Sequence, residues 1–259
     1  MSQTIRQHQI LELARREGNV TVEGLAAHFD VTLQTIRRDL TELADSGRLE
    51  RKHGGAVLPS GTTNIGYEHR RVMNAGAKAA IARACAASVP HDASVFMNIG
   101  TSIEAVAREL LHHSGLMVVT NNMNVAGILG ANRDCTVIVA GGMLRRSDGG
   151  LIGNLTTEAI GHFKFDLGII GCSALDRDGE ILDFDFQEVG VTRTIIRQSR
   201  SARLVADHSK FRRTAPARVA SLRDIDAFFT DRPLDPALAD LCAEWDTDVT
   251  VVEPDDPTA

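Results

Sequence analysis

"TLQTIRRDLTELADSG", Thr32 to Gly47, carries the strongest structural signal of the N-terminal part. At about 100° per residue, Leu33, Ile36, Leu40, Leu43 and Ala44 share one apolar stripe, the pattern of a helix with a dry face. Gln34 and Arg38 point away from that stripe. Thr35 and Thr41 lie outward beside them, and Arg37 stands near the boundary, where a long side chain reaches along the rim. The Thr32 hydroxyl caps the start of the helix, and Gly47 ends it in the left-handed conformation. Two adjacent forked cations on the polar face of a half-buried helix call for an anion. A solvated face with an Arg38–Glu42 pair at i, i+4 is the plainer alternative.

The flanking sequence favours the anion. "IRQHQILELARREGNV" carries Ile5, Ile10, Leu13 and Ala14 on one face and stops at Gly18. "TVEGLAAHFDV" gives a short helix from Thr21 with Leu25, Ala26 and Phe29 inward. The turn "DVT" then leads into the helix quoted first, which is helix-turn-helix order. After it, "RLERKHGGAVLP" reads as a small hairpin with Arg51, Lys52 and His53 near its tip. Such a wing lies over a phosphate backbone, so the expected anion is duplex DNA. Gln34, Thr35 and Arg38 then face bases, and Thr32, Arg37, Arg51, Lys52 and His53 grip phosphates.

The chain has 259 residues and a formal charge of −6, enough for two domains. Residues 1–58 hold eight Lys/Arg and eight Asp/Glu, so the whole deficit lies downstream. Local clustering of Arg37, Arg38, Arg48, Arg51 and Lys52 supplies the positive potential that overall neutrality withholds. The composition shifts at "LPSGTTNIGYEHRRVMNAG". The expected organisation is a DNA-binding domain over 1–58, a linker or hinge over 59–76, a second domain over 77–253 and a frayed tail over 254–259. Cys85, Cys135, Cys172 and Cys242 form no C-x-x-C pair, so neither disulfides nor a metal site is expected. No signal peptide or membrane-spanning run is evident, which points to a cytoplasmic protein.

From Lys78 onward, short apolar runs alternate with helical ones, as in a mostly parallel α/β sheet covered on both faces. Ligands of such sheets bind beyond the carboxyl ends of the strands. The residues there are small and polar. Gly100, Thr101 and Ser102 open a helix directly after a strand, an arrangement suited to phosphate. Thr120, Asn121 and Asn122 end a second strand, and Gly141 and Gly142 a third. Lys210, in "DHSKF", supplies an ammonium, while Asp183, Asp185 and Glu188 supply acceptors for hydroxyl groups. Together they suggest a pocket for a small phosphorylated metabolite.

"GNVTVEGLAAHFDVTLQTIRRDLTELADSGRLERKHGGA" resembles the N-terminal signature of the DeoR family of bacterial transcription regulators; its "TIRRDL" and "HGGA" elements carry the likeness. Thr32 stands where the family usually has serine. The segments "IGTSIEAVARELL", "VVTNNMNVA", "AGGMLRRSDGGLIGN", "GIIGCSALDRDGEILDFDFQEV" and "DHSKF" resemble the family's effector domain. "SDGGLIG" and "LDFDFQEV" point to the branch that answers to glycerol 3-phosphate. The resemblance implies a winged helix-turn-helix followed by a Rossmann-like α/β domain of the ribose-5-phosphate isomerase and glucosamine-6-phosphate deaminase type. It also implies a phosphate seat at Gly100, Thr101 and Ser102 with Lys210 as second contact, although the family usually has threonine at Ser102. The expected partners are double-stranded operator DNA, glycerol 3-phosphate or a related sugar phosphate, and further copies of the chain in a dimer or tetramer. No cofactor is expected. An isomerase or deaminase shares the fold but has no use for a DNA-reading head.

Overall fold

In the computed structural model, the described residues are 3–17, 19–46, 48–57 and 64–253. Helix α1 spans Gln3–Glu17, strand β1 Asn19–Thr21, α2 Val22–Phe29 and α3 Leu33–Asp45, followed by the wing strands β2 (Glu50–Lys52) and β3 (Gly55–Val57). Thr21 caps α2, accepting from the Gly24 amide, and Thr32 caps α3, accepting from the Thr35 amide at 3.2 Å. Ile10, Ala14, Leu25, Ile36, Leu40 and Leu43 are buried together, as their spacing requires. The wing is three-stranded: β3 lies between β1 and β2, both antiparallel to it.

Two inward assignments fail. Leu33 and Ile5 are 42% and 56% exposed, because each lies in the first turn of its helix, ahead of the interface. The stripe position between Ile36 and Leu40 is instead held by Asp39, 1% exposed, whose carboxylate meets Arg6 of α1 at 2.5 Å. A buried carboxylate is tolerated there because it is paired. The proposed helix ends at Gly18 and Gly47, the hinge residues Pro59–Thr63 and the tail 254–259 lie outside the described residues.

The second domain begins with α4 (Tyr67–Val72) and α5 (Ala75–Ala87), so part of the stretch read as linker is helical. It continues through β4 (Ser94–Met97), α6 (Thr101–Glu109), β5 (Leu116–Thr120), α7 (Met123–Leu129), β6 (Cys135–Val139), β7 (Met143–Arg145), β8 (Gly150–Ile152), α8 (Asn154–Gly161) and β9 (Phe165–Ile170). After these come β10 (Ala174–Leu175), β11 (Glu180–Asp183), α9 (Phe186–Gln198), β12 (Ser199–Val205), β13 (Ala217–Ser221), β14 (Ala227–Thr230), α10 (Pro236–Glu244) and β15 (Asp248–Val251).

Seven strands form one parallel sheet in the order β15-β14-β12-β9-β4-β5-β6. Ile81, Ile103, Val106 and Val125 cover one face from α5, α6 and α7. Ile160, Val189, Ile195 and Leu238 cover the other from α8, α9 and α10. The chain leaves β4 outward through β5 and β6, then returns to place β9 on the other side of β4. The crevice at the carboxyl ends of β4 and β9 is therefore the topological switch point, where such sheets hold ligands. A small antiparallel sheet, β10-β11-β13, stands beside it.

Candidate functional site

Helix α3 and the wing form one polar surface. Thr32, Gln34, Arg37, Arg38, Arg51, Lys52 and His53 are all exposed; Thr35 is half-buried, its hydroxyl 2.9 Å from that of Thr32. The Arg38 side chain is 74% exposed and its Nε donates to Glu42 at 3.1 Å. Glu42 also accepts from Gln3 and Gln7 of α1, at 2.7 and 2.8 Å. This gathering of donors, Gln7 first, holds the Glu42 carboxyl below the usual range. The i, i+4 pair thus exists, but it restrains the Arg38 stem and leaves its outer nitrogens free of any partner among the described residues. Lys52 pairs with Glu50 at 2.6 Å, whereas Arg37 and Arg51 have no ion pair among the described residues. The surface is a cationic fork on a reading helix beside a basic wing, the chemistry that engages duplex grooves and phosphates.

The second site is a cavity of about 490 Å³ at the β4–β9 switch point. Of the residues proposed from sequence, it brings together Gly100, Thr101, Ser102, Asp183, Glu188 and Lys210. Gly100 precedes α6 with φ +135° and ψ 150°, a conformation open essentially to glycine alone. The first intrahelical bond runs from the Glu104 amide to the Gly100 carbonyl, and no side chain caps this end. The amides of Thr101, Ser102 and Ile103 therefore face the crevice as a positive helix terminus. Lys210 is only 9% exposed, on a short 3₁₀ turn capped by Asp207, and its ammonium has no partner among the described residues. Burial, and Arg213 beside it, push the Lys210 pKa down to about 8 against the opposing pull of Asp207.

The opposite wall is acidic. The Glu188 carboxyl is pushed up to about 8 by burial and by neighbouring Asp183, against the attraction of Arg145; burial raises Asp183 as well. Asp185, capping α9, joins them. Arg145 ties this wall together, donating to Asp148 at 2.9 and 2.8 Å, to Asp185 at 2.6 Å and to Glu188 at 2.7 Å. One side thus offers amides and an ammonium, the other carboxyl groups. That polarity suits a molecule with a phosphate at one end and hydroxyls at the other.

Five proposed residues do not line the cavity. Thr120 spends its hydroxyl on the Met97 carbonyl at 2.6 Å and accepts the Asn122 amide at 3.0 Å. Asn121 donates to the Leu151 carbonyl, and Asn122 caps α7. The β7–β8 hairpin covers this strand end: the Leu151 amide bonds the Asn121 carbonyl at 2.7 Å. Gly141 accepts the Thr156 hydroxyl, and a Cβ on Gly142 would approach the Thr156 oxygen to 2.0 Å, so both serve packing.

Polar lining residues that were not among those proposed from the sequence include Asn64, Tyr67, Arg70, Arg145 and Asp148. Asn64, Tyr67 and Arg70 arrive from the start of the second domain, in the stretch assigned to the hinge. Tyr67, the single tyrosine, donates to Glu104, and burial first, then that carboxylate, push its pKa up to about 12. For Arg145 and Asp148, the i, i+3 charge spacing in "LRRSDGG" is the local signal that could have found them.

Both modules have counterparts among known proteins. Residues 6–62 match the DeoR-like helix-turn-helix domain and residues 73–232 the DeoR C-terminal sensor domain, and the chain belongs to the DeoR family of helix-turn-helix transcriptional repressors. Within that family it is 47% identical over 233 residues to the glycerol-3-phosphate regulon repressor of Escherichia coli (strain K12), covering 90% of this chain and 92% of the relative. It is 46% identical over 230 residues to the repressor of the same name from Haemophilus influenzae, covering 89% and 90%. The HTH-type transcriptional repressor CsqR of Escherichia coli follows at 37% over 226 residues, with 87% of each chain covered. Among solved structures, ribose 5-phosphate isomerase A from Neisseria gonorrhoeae superimposes on 52% of each chain with a TM-score of 0.37 and 14% identity. No helix among the described residues is long and apolar enough to cross a membrane.

Proposed function

We propose that this repressor holds double-stranded operator DNA through α3 and the wing, and that glycerol 3-phosphate, taken into the cavity, releases it. The observation that carries this reading is the pairing, at a switch-point crevice, of an uncapped helix N-terminus with a buried ammonium that has no partner among the described residues. The phosphate is seated by Gly100, Thr101, Ser102 and Lys210, and the two hydroxyls face Asp183 and Glu188. The relatives' names favour this phosphorylated polyol over other sugar phosphates. Residues 1–58 act as the DNA-binding unit and 77–253 as the sensor. Two reading helices of a symmetric oligomer, a dimer or tetramer, enter successive major grooves about 34 Å apart. The acidic sensor, holding the whole formal deficit of charge, keeps the DNA contact confined to the head.

No catalytic step is assigned. Glycerol 3-phosphate has no carbonyl to enolise, so the carboxyl groups act as acceptors and donors for hydroxyls rather than as a base. The protein works in the cytoplasm and needs no cofactor. A thermal-shift screen against phosphorylated metabolites tests the reading, with operator release measured for each hit. Saturation at about 100 times the dissociation constant stabilises the fold by about 2.7 kcal/mol. A shift with another sugar phosphate and none with glycerol 3-phosphate reassigns the effector. Turnover of ribose 5-phosphate or glucosamine 6-phosphate at enzymatic rates overturns the assignment as a pure sensor.

A further inference from the structure

Three basic side chains line the cavity, and they are not equally available. Arg145 is saturated by Asp148, Asp185 and Glu188. Lys210 is the ammonium already placed at the phosphate seat. Arg70 is different from both. Its Nε donates to the Ile65 carbonyl at 3.0 Å, and one terminal nitrogen lies 3.4 Å from an Asp148 oxygen that Arg145 already holds at 2.8 Å. The side chain is 16% exposed and borders the same crevice as Thr101 and Ser102. A guanidinium carries five donors. Most of those on Arg70 have no acceptor among the described residues, and Arg70 lines the same cavity as the proposed phosphate seat.

Arg70 also occupies a particular place in the chain. Helix α4 is six residues long and none of its residues is fully buried. A helix this short has no stability of its own, so its position depends on a few polar contacts. Tyr67 reaches Glu104 of α6 at 3.0 and 3.1 Å. The Arg70 carbonyl accepts the Lys78 ammonium and, at 3.3 Å, the Thr101 hydroxyl. That hydroxyl has one proton. When a phosphate oxygen at the α6 terminus takes it, the Arg70 carbonyl loses this partner just as the Arg70 guanidinium gains one. Occupancy therefore exchanges one link to α4 for another, and the two links pull on opposite ends of the same residue. In the sequence, α4 is the first helix of the sensor after the last wing strand of the DNA-binding head.

We infer that Arg70 is the second cationic contact to the effector's phosphate, and that α4 is the element through which cavity occupancy reaches the operator-binding head. This rests on reading the cavity as the effector site. The switch is a two-state hydrogen-bond arrangement that ligand biases, the physical requirement for coupling between sites.

The test combines calorimetric binding of glycerol 3-phosphate with backbone hydrogen exchange of the full-length protein. In the wild type, effector slows exchange of the amides over 66–73 as well as those of Ser102 and Ile103. Arg70→Gln weakens binding by about 10–100-fold, the loss expected for charge-assisted hydrogen bonds, and abolishes the change over 66–73 while keeping that at 102–103 under saturation. Arg70→Lys keeps the charge without the fork and falls between the two. Thermal unfolding without ligand checks that both variants fold. The wild-type exchange pattern tests α4 even if Arg70→Gln does not. Wild-type binding with no change at 66–73, or unchanged affinity in Arg70→Gln, overturns this inference alone. A wild type that takes up no phosphorylated polyol overturns both it and the effector assignment.

Discussion

Replacing Gly100 by Ala isolates the backbone feature on which the proposed phosphate seat depends. The residue has φ +135° and ψ 150°, and a Cβ built there meets nothing nearer than Ile103 Cγ1 at 3.8 Å. Steric crowding is therefore absent, and the whole cost is conformational. A non-glycine residue held in this region costs about 1–3 kcal/mol. At about 2–4 °C per kcal/mol for a domain of this size, thermal unfolding of Gly100→Ala is lowered by about 2–12 °C. If the backbone relaxes instead, the amides of Thr101 and Ser102 turn from the crevice, and effector affinity falls in place of stability. Gly171 provides a matched control. It lines the same cavity, its Cβ also meets Ile103 Cγ1 at 3.8 Å, and its φ is not in the positive region. Gly171→Ala removes unfolded-state freedom without strain and is expected to stabilise by about 0.4–1 kcal/mol. The assay is calorimetric unfolding of both variants with and without glycerol 3-phosphate. Equal unfolding temperatures and equal ligand shifts in Gly100→Ala and the wild type refute the argument that this φ is enforced and that it aims the seat.

The pH profile of effector binding follows from Lys210, faced by Asp207, Arg213, Cys172 and Lys78, with Asp183 and Glu188 across the cavity. With its pKa pushed down to about 8, its charged fraction falls from about nine-tenths at pH 7 to about one-tenth at pH 9, so affinity declines by up to about tenfold. In Lys210→Met this part of the slope disappears and in Glu188→Gln it persists; a wild-type affinity constant from pH 7 to 9 refutes it. In the free protein the sign is the opposite: a lysine with a lowered pKa stabilises the fold above about 10.5 and loses that contribution as pH falls through about 8. Arg38→Ala costs about 1–3 kcal/mol of operator affinity and relaxes sequence preference, measured by binding to operator variants; a uniform loss across sequences demotes it to a backbone contact. Asp39→Ala strands the buried Arg6 cation and destabilises the head by about 3–5 kcal/mol, whereas the double Arg6→Met, Asp39→Leu variant recovers most of that loss by denaturant titration. A single variant as stable as the wild type contradicts the buried-pair account.

Sequence alone determined the features whose causes are local. Ile36, Leu40 and Leu43 at helical spacing fix which way Gln34 and Arg38 point, because the period of a helix leaves no freedom in that choice. A strand running into Gly100-Thr101-Ser102 specifies an uncapped helix start for the same reason: glycine's backbone range and the helix terminus act within four residues. Tertiary structure decided the rest. Both Gly100–Ser102 and Thr120–Asn122 read as polar strand ends that lead into a helix, and the sequence proposes both for the pocket. The difference is that β4 acquires β9 as a neighbour and opens a crevice, while β5 ends beneath the β7–β8 hairpin. Asp39 has no local partner, and its burial depends on Arg6, brought from another helix to neutralise it. Tyr67 and Arg70 read as linker because α4 buries no apolar side chain, leaving no periodic signal; their role depends on Glu104, Asp148 and Thr101, brought beside them only when the sheet has closed.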